Sequence, residues 1–133
     1  MSLGGHLMTG HVAIVDDDES VRRAMTRLLQ AHSFMVHSYS SGRKFLDSLN
    51  RGAPACLILD MQMDGMRGLE LLQHLVGMGF RVPTIVLTAD DDPVMRDRCK
   101  RAGAVAFLAK PVNGDSLLEA IRSATATGSP MEP

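Results

Sequence analysis

Four stretches of the chain carry side chains suited to phosphate chemistry. Asp16-Asp17-Asp18-Glu19 is an acidic run, Asp60 a lone carboxylate, Thr88 a lone hydroxyl and Lys110 a lone ammonium beside Pro111. Crowded carboxylates repel, which raises their pKa values. A hard divalent cation removes the conflict. Mg²⁺ takes one or two carboxylates and completes its shell with water and phosphate oxygens. Phosphoryl transfer asks mainly for positioning and charge stabilisation. Asp60 is then the natural nucleophile, ending as an aspartyl phosphate. Lys110 offers a point charge to one phosphate oxygen, and the Thr88 hydroxyl can donate to another.

Taken singly, each residue has a duller reading. An acidic run after a strand often only caps a helix and suits its dipole. A lone Asp is usually a loop residue or cap, a Lys-Pro pair is usually a loop, and Thr at a strand end has no special meaning. The joint arrangement carries the weight. Each group closes a short apolar run: Val12-Ala13-Ile14-Val15, Ala55-Cys56-Leu57-Ile58-Leu59, Thr84-Ile85-Val86-Leu87 and Val105-Ala106-Phe107-Leu108.

Between these runs the hydrophobic period becomes helical. Val21, Ala24, Leu28 and Leu29 share one face, and Phe45 and Leu49 lie four apart in Gly42–Leu49. Leu69, Leu72, Leu75 and Val76 form another stripe. Asp92-Pro93 reads as a cap and first helical residue, with Gly103 as the stop. The last helix begins near Asn113 and buries Leu117, Leu118 and Ile121; Phe34-Met35-Val36 is a weaker strand candidate. The order is β-α repeated about five times. Apolar strands alternating with amphipathic helices imply an α/β fold with a parallel sheet covered on both faces. Right-handed crossovers make it a doubly wound sandwich. In such sheets the functional crevice lies beyond the carboxyl ends of the strands, where these polar groups sit.

At 133 residues the chain is expected to form one domain with an aliphatic core, since it has no Trp and one Tyr. A net charge of −1 gives no bulk case for nucleic acid, and no direct nucleic acid binding by this domain is expected. No apolar run is long enough to span a bilayer. Cys56 and Cys99 fit no metal spacing and read as reduced thiols of a cytoplasmic protein. Residues 1–10 are expected to be a tag or disordered N-terminus, and residues 127–133 a linker or tail that begins to read as such from Thr125.

The segments Ile14-Val15-Asp16-Asp17-Asp18, Leu57-Ile58-Leu59-Asp60-Met61, Ile85-Val86-Leu87-Thr88-Ala89 and Phe107-Leu108-Ala109-Lys110-Pro111 resemble the four signatures of bacterial response-regulator receiver domains. The resemblance covers residues 11–126. Gly103 to Pro111 looks most like receivers of the nitrogen-fixation regulator type, which usually precede a helix-turn-helix output domain. It implies a flavodoxin-like three-layer sandwich of five helices around a five-stranded parallel sheet of order 2-1-3-4-5. It implies that Asp60 accepts phosphate from a sensor histidine kinase, and that the domain promotes its own phosphorylation and autodephosphorylation without being a conventional enzyme. Asp17, Asp60 and the backbone carbonyl of Gln62 would hold Mg²⁺, with Mn²⁺ as an alternative, and Asp16 would reach it through water. Thr88 and Phe107 would be a switch pair that remodels the face of the fourth helix, fifth strand and fifth helix, a face also open to homodimerisation. Gln62 and Asp90 would tune the phosphoryl lifetime, and the Lys110–Pro111 peptide would be cis.

Two features depart from the family. Met63-Asp64 stands where a Met-Pro pair is common, so Asp64 adds charge and Gly65 adds freedom to the loop after Asp60. The fourth helix is strongly charged, with Arg96, Asp97, Arg98, Lys100 and Arg101, which by default is a solvated face. Two rivals stand beside the receiver reading. A haloacid-dehalogenase-type enzyme would use Asp16 as nucleophile, but its later Thr/Val position holds Ser20 and there is little room for a cap domain. A phosphate-independent interaction module on the same scaffold would leave the full set of phosphorylation residues without a task. A calcium loop starting at Asp60 fails because its closing Glu would fall at Leu71.

Overall fold

The continuous apolar runs become the buried centre of a sheet. A computed structural model describes residues 10–63 and 65–127. In chain order the elements are β1 (Val12–Val15), α1 (Glu19–Ala31), β2 (Val36–Tyr39), α2 (Gly42–Ser48), a 3₁₀ turn (Leu49–Arg51), β3 (Cys56–Asp60), α3 (Gly68–Gly77), β4 (Thr84–Thr88), α4 (Pro93–Arg101), β5 (Ala104–Ala109) and α5 (Gly114–Thr127). The five strands are parallel in the order β2-β1-β3-β4-β5.

Side chains alternate across a strand, so one sheet supplies two cores. Ala13, Val15, Leu57, Leu59 and Val86 face Phe45, Leu71, Leu72, Leu75 and Cys99. Val12, Ile14, Ile58, Ile85 and Leu87 face Met25, Leu29, Leu117, Leu118 and Ile121. Burial on both faces explains why β1, β3 and β4 read as unbroken apolar runs. The chain reverses at β1, which has β2 on one side and β3 on the other. The carboxyl ends of β1 and β3 therefore open side by side, and β4 and β5 continue the same rim.

Four elements depart from the sequence expectation. In α1 Met25 joins Leu29 in the buried stripe, whereas Ala24 is exposed. β2 begins at Val36, not Phe34, because the chain is still closing α1: Ser33 takes a φ of 69° and the Phe34 N–H donates to the Leu29 carbonyl at 3.0 Å. As an edge strand β2 is only partly buried, so it lacks a continuous apolar signal. In α3 the buried stripe is Leu71, Leu72 and Leu75, whereas Val76 is 55% exposed. α5 continues through Thr125 to Thr127; the Thr125 hydroxyl donates back to the Ile121 carbonyl at 2.9 Å, and Ala124 is buried. The expected N-terminal tag, the remaining tail from residue 128 and the Asp64 charge lie outside the described residues.

Candidate functional site

The acidic run after β1 divides into two tasks. Asp18 is the N-cap of α1, as the duller reading allowed. Its Oδ1 accepts the backbone N–H of Ser20 at 2.9 Å and of Val21 at 3.3 Å, and the Ser20 hydroxyl at 2.7 Å. The Ser20 hydroxyl and these two amides hold the Asp18 carboxyl below the usual range. Asp16 turns inward and is 1% exposed. Its Oδ1 accepts the Asp18 N–H at 2.9 Å, while its Oδ2 is buried without a hydrogen-bond partner. Arg22, one turn into α1, fixes the same residue from behind by donating to its backbone carbonyl at 2.8 Å. Burial raises the Asp16 pKa against the pull of the Asp18 amide, and the nearby Asp60 charge raises it further.

Asp60 closes β3 and is 2% exposed. Its Oδ1 accepts the Lys110 ammonium at 2.9 Å and the Gln62 backbone N–H at 3.1 Å. Carboxylate oxygens of Asp16, Asp17 and Asp60 lie within 4.8 Å of one another. The sheet makes this encounter: Val15 of β1 pairs with Leu59 of β3, so the next residue of each strand emerges at the same rim. Lys110 comes from the other side, where its backbone N–H donates to the Thr88 carbonyl at 3.0 Å and its peptide bond to Pro111 is cis.

A divalent cation fits these residues. Three carboxylates converge, and the one buried acceptor atom without a partner among the described residues, Asp16 Oδ2, belongs to them. Such an atom is uncommon in a folded interior unless something is there to meet it. Lys110 neutralises only part of the cluster's charge.

Thr88 closes β4 and Phe107 lies on β5, and the Thr88 hydroxyl is engaged by the loop after β4. The Thr88 hydroxyl donates to the Asp90 carbonyl at 2.7 Å and accepts the Asp90 N–H at 3.1 Å, which ties it to the loop before α4. Gln62 reaches the same loop, its side-chain oxygen accepting the Ala89 N–H at 3.4 Å. Phe107 is half-buried on β5 with the Arg96 guanidinium 5.2 Å from its ring centre.

Sequence reasoning missed three contributors. Arg22 gave no signal beyond being a helical arginine. Arg96 was part of a charged helix read as solvated, yet it covers Phe107 and pairs with Asp91 at 2.6 Å. Gly68 opens α3 against the end of β3. A Cβ there would lie 3.0 Å from the Asp60 carbonyl oxygen and 3.0 Å from the Met61 Cα, so only glycine lets the helix approach the acceptor strand this closely.

Residues 12–122 match the response regulator receiver domain family. The chain belongs to that family. The receiver domain is 38% identical over 113 residues to the response regulator protein TodT of Pseudomonas putida, covering 85% of this chain and 50% of TodT. It is 31% identical over 121 residues to the transcriptional regulatory protein FixJ of Bradyrhizobium diazoefficiens, covering 91% of this chain and 59% of FixJ. The chain thus spans about half the length of the curated relatives it matches. The crystal structure of FixJ-N superposes with a TM-score of 0.80 at 34% identity, covering 87% of this chain and 93% of that one. The receiver domain is therefore a phosphoacceptor module of two-component signalling with the flavodoxin-like fold expected from its sequence. Among the described residues no helix is long and apolar enough to cross a membrane.

Proposed function

We propose that Asp60 is the phosphoacceptor, taking its phosphoryl group from a phosphohistidine of a sensor kinase. The carrying observation is that a buried Asp60 carboxylate meets Lys110 at 2.9 Å while sharing its pocket with Asp16 and Asp17. As the Asp60 oxygen bonds to phosphorus, the bond from phosphorus to the histidine nitrogen breaks. Lys110 stays beside the acceptor, where its ammonium can follow the phosphoryl oxygens. The Gln62 N–H fixes the orientation of the Asp60 carboxylate. Asp17, Asp60 and the Gln62 carbonyl would hold Mg²⁺ or Mn²⁺, and Asp16 Oδ2 would reach the cation by accepting a hydrogen bond from an intervening water. Bound there, the cation would neutralise charge on the phosphoryl group. Attack by water on the phosphorus of the acyl phosphate releases inorganic phosphate and returns the free carboxylate, and Gln62 and Asp90 would tune the rate of that step.

The output reading rests on Thr88 and Phe107. Thr88 exchanges its Asp90 partners for a phosphoryl oxygen, Phe107 turns inward, and the face of α4, β5 and α5 changes. That face would contact a second copy or an output domain, which the transcriptional relatives support. The two free cysteines suit the cytoplasm in which such a relay works. Residues 11–126 would form the whole receiver.

Incubation with acetyl phosphate and Mg²⁺ should add the mass of one phosphoryl group to the wild type and nothing to Asp60→Asn. A label on Asp16 would replace the reading with the dehalogenase-type enzyme, and no label on the wild type would favour the phosphate-independent module. Thr88→Ala should still take the label but lose the change in Phe107 ring resonances that follows it. An unaltered Phe107 response in that variant would remove Thr88 from the switch.

A further inference from the structure

The arginine that sequence reasoning left in solvent occupies a mechanically sensitive place. Arg96 is in the first turn of α4 and touches two things at once. Its Nη2 donates to Asp91 Oδ1 at 2.6 Å, and its guanidinium covers the Phe107 ring at 5.2 Å. Asp91 belongs to the β4–α4 loop, the same loop that holds the Thr88 hydroxyl through Asp90. The next residue, Asp92, caps α4 by accepting the Val94 N–H at 3.0 Å. Three consecutive aspartates thus bind three different partners: the switch hydroxyl, the arginine over the switch ring, and the helix end.

The space beside the ring is small in this arrangement and opens toward the β4–α4 loop. Met61, Thr88, Asp91, Met95, Arg96 and Cys99 line a depression of about 10 Å³ beside Phe107, room for about one water and less than a phenyl ring needs. The ring cannot turn in until Thr88 and its loop shift. The Arg96–Asp91 ion pair ties that loop to α4. The Arg96 side chain is less than half exposed, so its contact with the aromatic face is partly shielded from water.

We propose that Arg96 is a positioning residue that latches the resting state, holding Phe107 against its guanidinium and the Asp91 loop in place until a phosphoryl group on Asp60 draws Thr88 away. The inference rests on the switch reading above and adds a residue to it. Its thermodynamics follow from two states. A contact made only in the resting state opposes every ligand that favours the other state, in proportion to its strength. Removing the latch tightens such ligands without altering a group that touches the phosphoryl site. The guanidinium plane, which covers the ring, and its charge, which pairs with Asp91, are separable.

Beryllofluoride with Mg²⁺, a mimic of the phosphoryl group, is the probe. Arg96→Ala should bind it roughly two- to fivefold more tightly than wild type, the range given by an exposed to partly shielded cation–ring contact. Arg96→Lys keeps the charge beside Asp91 and should fall between the two. In the absence of ligand, the Phe107 ring resonances of Arg96→Ala should already be displaced toward their beryllofluoride-bound positions. Thermal melting in the same buffer checks that each variant is folded. A folded Arg96→Ala with wild-type affinity, or weaker, overturns the latch. Failure of the wild type to bind beryllofluoride or accept label overturns the parent reading instead.

Discussion

A Lys110→Ala variant should fold, keep a cation at the acidic pocket, and accept label from acetyl phosphate about a hundredfold more slowly than wild type. Lys110 is the cation beside the acceptor in this structure, 2.9 Å from Asp60 Oδ1. Removing it does not disturb the rim, because the backbone N–H of residue 110 is what bonds to the Thr88 carbonyl. The loss therefore concerns charge at the reacting group. It should also be visible without any phosphate. The Asp60 side chain is 3% exposed and that of Lys110 is 29% exposed, so the pair is neither a surface ion pair nor a fully buried one. Taking away the ammonium leaves a buried carboxylate among two others, at a cost of about 1–3 kcal/mol. Added Mg²⁺ should return more stability to Lys110→Ala than to wild type, since it then meets the whole uncompensated charge. Urea unfolding in EDTA and in excess Mg²⁺ reads both effects. Labelling at the wild-type rate would separate Lys110 from phosphoryl chemistry.

How much of this was legible in the sequence depends on whether a feature is local. The three central strands were legible because burial on both faces leaves an unbroken apolar run that ends where the strand ends. Asp16, Asp60, Thr88 and Lys110 were legible for the same reason: each stands at such an end. Their mutual approach followed from the topology, and the order β2-β1-β3-β4-β5 brings them to one rim. β2 was placed early because an edge strand needs apolar residues on less of its surface, and the turn closing α1 depends on Ser33 adopting a positive φ. In α3 Leu72 and Leu75 lie in the expected stripe and Leu69 packs against the core, but Leu71 takes the buried place expected of Val76, because the face turned to the sheet follows from the close approach of Gly68 to Asp60 and Met61.

The electrostatic detail was less legible still. Asp16, Asp17 and Asp18 are chemically alike, yet one is buried, one is exposed at the cluster, and one caps a helix. Only the direction of the chain leaving β1 separates them. Arg96 carries the same lesson. Spacing alone could not tell an arginine over an aromatic ring from its neighbours Arg98 and Lys100, because Phe107 arrives from a different element.

Asp16→Asn should make the metal-free protein more stable at neutral pH and sharply reduce its stabilisation by Mg²⁺. Asp16 Oδ2 is a buried acceptor without a partner, close to two further carboxylates. An asparagine keeps the oxygen that accepts the Asp18 N–H and places an amide donor where the orphaned oxygen was. Relief of that conflict should contribute about 1–3 kcal/mol. The sign of its pH dependence follows from the Asp16 pKa, which burial raises above the ordinary 3.8. A raised carboxyl pKa means that the folded state holds the proton more tightly than the unfolded state. Its favourable contribution is complete below about pH 3.8 and is lost as pH rises through the folded value. The stability gap between Asp16→Asn and wild type in EDTA should therefore open as pH rises from acid to neutral, and then stay level. Mg²⁺ should close the gap from the other side. A ligand at a hundred times its Kd stabilises the wild type by about 2.7 kcal/mol, whereas the variant has lost a charge from the pocket and should gain little. Urea titrations over that pH range, repeated with Mg²⁺, measure all three quantities. A less stable Asp16→Asn in EDTA, or an undiminished response to Mg²⁺, would show that the buried oxygen is not held in place for a cation.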